Sequence, residues 1–206
     1  VVATPSKRNG HVTFGSFNKL AKLGPATLRL WAAVLERVPD SRLLLKWRHA
    51  TQPAARDRIL ESLVDLGIAA DRVEFRDASP HDAMLAEYGD IDIALDPMPF
   101  SGGATTCDAL WMGVPVVTLH GSRFASNHTV SHLNAAGLPE LVAAHPDEYV
   151  DICARLASDV PALDRLRTGL REQLRHSPLC SPALFMRPAE RHVETLLRDA
   201  AAQRFA

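Results

Sequence analysis

The stretch "DPMPFSGGATTCDALWMGVPVVT", Asp96 to Thr118, sets a glycine pair and a hydroxyl cluster between two apolar runs. Glycines let the backbone come close to a ligand because no Cβ stands in the way. A helix beginning near Thr105 leaves its first N–H groups unpaired and carries a partial positive charge at that end. Together these features suit a phosphate or carboxylate, with Ser101, Gly102, Gly103, Thr105 and Thr106 as the candidate contacts. A second polar stretch, "GSFNKLAKLG", offers Asn18, Lys19 and Lys22, and the lysines would supply the full positive charge that a partly desolvated phosphate needs. Asp108, one turn into the helix, is placed to accept hydrogen bonds from a ribose. Two lysines and a helix end offset an anion's charge without a metal or cofactor. The plainer reading is a tight turn with a hydroxyl cap and surface lysines. Neither GxGxxG after the first strand nor GxxxxGK[ST] occurs, which disfavours a dehydrogenase and a P-loop enzyme.

Other constellations are weaker. His128 and His132 lie at i, i+4 in "NHTVSH", a metal-compatible spacing, but there is no HExxH glutamate and no third ligand in view. His120 and Ser126 follow the fifth apolar run and border the same region or simply a solvated loop. No Ser, His and Asp set has hydrolase-like spacing. Trp31, Trp47 and Trp111 sit in apolar patterns and are expected in the core, with Trp111 anchoring the helix after the glycine loop.

These groups need a scaffold, and the pattern around them supplies one. "HVTF", "RLLLKW", "RVEF", "IDIALD" and "VPVVTL" read as strands, and amphipathic helical patterns separate them. Alternating strands and helices imply βαβ units and an α/β, doubly wound parallel sheet, of undetermined strand order. Ligands of such sheets lie beyond the carboxyl ends of the strands. That edge receives the Asn18 to Lys22 loop, the glycine loop, and "RDASPH" after the third strand, which brings Ser79 and His81. Beyond about Leu138 the pattern reads as purely helical, so residues 1–206 are expected to form one lobe with a helical part over 139–206.

At 206 residues and 47% hydrophobic, the chain can bury a substantial core. A net charge of -1 gives no general attraction to nucleic acid or anionic membrane. Cys107, Cys153 and Cys180 are scattered and odd in number, which fits a reducing, cytoplasmic setting. No apolar run reaches the roughly 20 residues of a membrane span. The first residue is Val1, and the chain reads as a piece of something longer.

"FGSFNKLAKLGPATLRLWAAVLERVPDSRLLL", "DPMPFSGGATTCDALWMGVPVVT" and "GSRFASNHTVSHL" resemble the C-terminal catalytic half of the O-linked N-acetylglucosamine transferase and SPINDLY family, from about Val12 to Leu184. The resemblance implies the Rossmann-like C-terminal lobe of a GT-B glycosyltransferase. Such an enzyme transfers a sugar from a nucleotide donor to Ser or Thr hydroxyls of a protein without a metal, usually behind a tetratricopeptide superhelix. It makes Lys22 the residue that contacts the donor diphosphate and stabilises the leaving nucleotide, with Lys19 near the phosphates. It places Gly103, Ala104 and Thr105 on the phosphate and sugar loop and Asp108 on the ribose. Ser79, His81 and Met84 fall around the base. The family's loop histidine and first loop threonine are Gly103 and Ala104 here, and its base-stacking histidine is Met84. The donor therefore stays open between UDP-N-acetylglucosamine and GDP-fucose. On the same resemblance, the N-terminal lobe, with the acceptor-side groups, lies outside this chain. "PALFMRPAERHVETLL" would cross onto that lobe through Leu184, Phe185, Val193 and Leu196, or else close this domain. Alone, the chain is expected to bind donor weakly and transfer nothing. The rival is an interaction module that kept the fold and lost the nucleotide.

Overall fold

The computed structural model describes residues 3–204, so the one-lobe reading of 1–206 is compared with the structure over that span. A short helix α1 (Ser6–Asn9) ends at Gly10, whose φ of 74° is one that glycine adopts freely. Then follow β1 (Thr13–Ser16), a 3-10 turn (Leu20–Lys22), α2 (Pro25–Arg37), β2 (Arg42–Lys46), α3 (Pro53–Asp65), β3 (Val73–Arg76), α4 (His81–Glu87) and β4 (Ile93–Leu95). The second half holds α5 (Ala104–Trp111), β5 (Val116–Leu119), α6 (His128–Ala135), β6 (Val142–Ala143), α7 (Pro146–Ser158), α8 (Val160–Arg175) and α9 (Pro182–Arg204). Proline opens α2, α3 and α7, where its missing N–H costs nothing and its fixed φ suits the first turn.

The strands form one parallel sheet in the order β3-β2-β1-β4-β5-β6, a doubly wound α/β fold as expected. Every residue of β1 and β4 is buried, because helices cover both faces of the sheet. Close packing at the centre is steric as well as apolar: a Cβ on Gly15 would come within 2.4 Å of Ile91 Cγ2. Trp31 and Leu35 of α2 are wholly buried, as the spacing of that helix predicts, and Val34 is buried with them.

The order reverses between β1 and β4, which pair through Phe14 with Ile93 and Gly15 with Ala94. The loops leaving their carboxyl ends therefore emerge side by side. One carries Asn18 to Lys22 and the other carries the glycine pair.

Three expectations need correction. The chain beyond Leu138 is not purely helical, since Val142–Ala143 adds a sixth strand beside β5 through Thr118 and Leu119. Trp111 is not core: it is 38% exposed, its ring lying beneath the Arg171 and Arg175 guanidiniums at 5.3 and 5.8 Å. Trp47 is only half-buried.

Candidate functional site

Lys22 ends the 3-10 turn after β1, and its Nζ reaches across to the glycine loop. It donates to the Ser101 carbonyl at 2.7 Å and to Asn18 Oδ1 at 3.1 Å. Asn18 Oδ1 also accepts from Thr105 Oγ1 at 3.1 Å. One buried amide thus joins the lysine of the first crossover to the first turn of α5. The Lys22 ammonium also lies 4.7 Å from the Phe100 ring centre. Burial pulls its pKa below the ordinary lysine value; nearby Asp96 opposes that shift and Lys19 adds to it.

Beside this junction opens a cavity of about 640 Å³. Lys19, Lys22 and Gly24 from the loop after β1, Met98 to Phe100 and Gly103 from the loop after β4, and His128 at the start of α6 line it. Gly103, which caps α5, faces open space, with nothing outside its own chain neighbours and helix backbone within 4 Å of where a Cβ would lie. The helix start, the bare glycine and the ammonium make a setting for an anion.

The neighbouring loop positions play a different part. Gly102 is needed by the protein itself: a Cβ there would lie 2.3 Å from Thr106 Oγ1. Its N–H donates to Asp96 Oδ1 at 2.6 Å. Thr106 is buried with its hydroxyl on Thr129 Oγ1 at 2.9 Å, so it faces away from the cavity. Ser101 Oγ donates to the Ala125 carbonyl and accepts from the His128 N–H at 3.1 Å, leaving only its carbonyl toward Lys22. Ala104 is the exposed first residue of α5.

Ser79, His81, Met84 and Asp108 form a separate group along α4 and α5, outside the cavity lining. Ser79 Oγ donates to Glu87 Oε1 at 2.6 Å, and Glu87 also pairs with the buried Lys46 at 2.9 Å. His81 is exposed at the start of α4, and Met84 is half-buried against the core. Burial raises the Asp108 carboxyl above its usual range, with His81 close enough to oppose the shift. Tyr88, stacked on Phe17 at 4.2 Å, donates to the Thr105 carbonyl and fastens the end of α4 to α5.

Several contributors escape sequence reasoning. Asp96 is buried at the end of β4 and accepts from Gly102 N and from Thr118 Oγ1, each at 2.6 Å. Burial pushes its carboxyl up to about 6 despite these bonds and the nearby Lys22. Its signal was visible as an acid closing an apolar strand immediately before the glycine loop. Thr27 of α2 holds the same loop by donating to the Met98 carbonyl at 2.6 Å. His128, weighed in the sequence only as a metal ligand, lines the cavity edge-on to Phe100 and Phe124. Among the described residues, no three His, Cys, Asp or Glu side chains gather in a metal-holding group. His120 and Ser126 line a smaller adjoining cavity of about 180 Å³, where Ser126 Oγ donates to the Pro99 carbonyl. No described helix is long and apolar enough to cross a membrane.

Comparison with known proteins supplies the context for this geometry. The family model described as glycosyl transferase family 41 matches residues 5–187. A probable UDP-N-acetylglucosamine–peptide N-acetylglucosaminyltransferase SPINDLY of Solanum lycopersicum is 46% identical over 192 residues, covering 92% of this chain and 20% of that protein. A UDP-N-acetylglucosamine–peptide N-acetylglucosaminyltransferase of Caenorhabditis elegans is 34% identical over 157 residues, covering 76% of this chain and 13% of its own length. Among solved structures, a mutant Thermobaculum terrenum O-GlcNAc transferase superposes with a TM-score of 0.83 at 41% identity, over 96% of this chain and 38% of that one. A sucrose-phosphate synthase from Thermosynechococcus elongatus, 16% identical with a TM-score of 0.63, shares the fold. The chain spans about a fifth of the length of the SPINDLY relatives it matches.

Proposed function

The chain belongs to glycosyl transferase family 41, and on that premise we propose that it is the nucleotide-sugar-binding half of a protein O-glycosyltransferase. The donor is a nucleoside diphosphate sugar, with N-acetylglucosamine as the sugar, in line with the names of the curated relatives. The acceptor is a Ser or Thr hydroxyl of a protein, presented by parts of a longer polypeptide.

One observation carries this reading. Lys22 from the loop after β1 and the start of α5 converge through Asn18 beside an open cavity. A diphosphate seated there meets an ammonium, the free amides of a helix end and a glycine that lets it approach. In the reaction, the acceptor hydroxyl attacks the anomeric carbon, passing its proton to a base from the rest of the polypeptide, and the bond to the diphosphate oxygen breaks. Negative charge grows on the departing nucleoside diphosphate. Lys22, held in place before the donor arrives, offsets that charge without reorganising, which makes its role electrostatic. These charged groups give the site its anion affinity without a metal. Asp108 on the ribose and Ser79, His81 and Met84 around the base complete the proposed donor site, extending it from the cavity along α4 and α5.

Thermal melting with nucleotides tests the reading. A ligand at 100 times its dissociation constant adds about 2.7 kcal/mol of stability. UDP, UDP-N-acetylglucosamine, GDP and GDP-fucose are compared, and at least one is expected to raise the melting temperature. Lys22→Ala is expected to abolish that rise. If no nucleotide shifts melting, the interaction-module reading prevails; an undiminished rise in the variant removes Lys22 from the diphosphate.

A further inference from the structure

The polar side chains around the cavity can be accounted for one by one. Asn18 Oδ1 is shared by Lys22 and Thr105, and its amide nitrogen reaches Ser16 Oγ at 3.4 Å. Thr106 is bonded to Thr129, and Ser101 Oγ bridges Ala125 and the backbone of α6. Gly103 has no side chain to offer. Lys19 and Lys22 are donors only and suit phosphate oxygens rather than an array of hydroxyls, each of which both gives and takes hydrogen bonds.

His128 is different. Its backbone N–H is held by Ser101 Oγ at 3.1 Å, and its ring is held edge-on by Phe124 at 4.8 Å and Phe100 at 6.0 Å. Among the described residues, neither ring nitrogen has a hydrogen-bond partner in the protein, yet the residue lines the cavity. A neutral imidazole offers one donor and one acceptor. The Phe100 ring neighbours both this imidazole and Lys22, whose Nζ is 4.7 Å from the ring centre. His128 thus lines the same cavity as the ammonium assigned to the diphosphate, next to the aromatic ring that both approach, and a group bonded to that diphosphate shares this space with the imidazole.

We propose that His128 reads the hydroxyls of the transferred sugar, making it a specificity-determining residue of the donor site. This rests on the nucleotide-sugar reading of the cavity. Ring packing orients the imidazole, so its two nitrogens address different sugar hydroxyls without the cost of ordering a mobile side chain.

The test separates sugar from nucleotide. Calorimetric affinities of the 206-residue chain for UDP and UDP-N-acetylglucosamine, and for GDP and GDP-fucose, are measured for the wild type, His128→Phe and His128→Gln. His128→Phe keeps the ring between Phe100 and Phe124 and removes both nitrogens. It is expected to weaken the sugar nucleotide by about three- to tenfold, the scale of one or two neutral hydrogen bonds. The matching nucleoside diphosphate should change less than about twofold, and His128→Gln should recover part of the loss. Equal weakening of both ligands, or no weakening of either, overturns the proposal. Failure of the wild type to bind any of the four sinks the nucleotide-sugar reading together with it.

Discussion

At the residue scale, the glycine loop divides its labour in a way composition alone cannot reveal. Gly102 serves the protein, because any Cβ would strike Thr106, whereas Gly103 faces open space. From the sequence the two are equivalent members of a pair, and only packing tells them apart. Asp96 is the fastener of this loop, and its burial has a measurable consequence. Its folded pKa of about 6 exceeds the roughly 3.9 of an unfolded aspartate, so the folded state holds the extra proton between those values. The stability this contributes is full below the unfolded value and is lost as pH rises through about 6. Asp96→Asn removes the titration while keeping an acceptor for Gly102 N–H. From about pH 7 down to pH 4, the unfolding free energy of the wild type is expected to gain roughly 2 kcal/mol relative to the variant. Denaturant melts across that range check it, and parallel pH profiles would refute the assignment.

Among elements, the strands were legible because branched apolar runs four to six residues long stand between amphipathic helices. β6 was not, since two residues cannot display a period and the Val142–Ala143 pair gains its status only by hydrogen bonding beside β5. The meeting of Lys22 with the glycine loop was expected from the edge of a doubly wound sheet, but its geometry follows from β1 pairing with β4, an adjacency no local pattern encodes. Trp111 misled for a related reason: the helix that carries it faces α8, whose arginines cover the ring where apolar groups were expected. α8 also anchors the amino end of β4, in the centre of the sheet. Arg167 of α8 is wholly buried and donates from one guanidinium nitrogen to the Ile91 and Asp92 carbonyls at 2.9 Å. Asp92, also buried, accepts from the Ser6 and Thr13 amides. Replacing Arg167 with Ala strands two carbonyls and leaves Asp92 without its nearby cation, an expected loss of about 2–4 kcal/mol. These contacts lie before β4, at the opposite end from Lys22. The variant that remains folded should therefore keep the wild-type nucleotide response in calorimetry, and a matching loss of affinity would contradict this separation.

For the molecule as a whole, the last helix is the element that the rest of the fold does not use. α9 exposes Leu184, Phe185, Met186, Val193, Leu196 and Leu197 to between 40% and 66%, and none of its described side chains is buried. A row of apolar side chains of this size left in water contributes almost nothing to the stability of the domain that carries it. The family match ends at residue 187, within the first turns of this helix. We propose that the row meets the remainder of a longer glycosyltransferase, where burying it would hold the donor half against the acceptor half. Within the 206-residue chain, the consequence is specific: a version ending at Ser181 should melt within about 2 °C of the full chain, since a change below about 0.5 kcal/mol moves the midpoint no further in a protein this size. It should also aggregate less at high concentration, having lost its largest exposed apolar row. Calorimetry and light scattering on the two versions decide the matter. A midpoint lower by 5 °C or more would mean that α9 closes this domain after all, and the row would then have no claim on a second lobe.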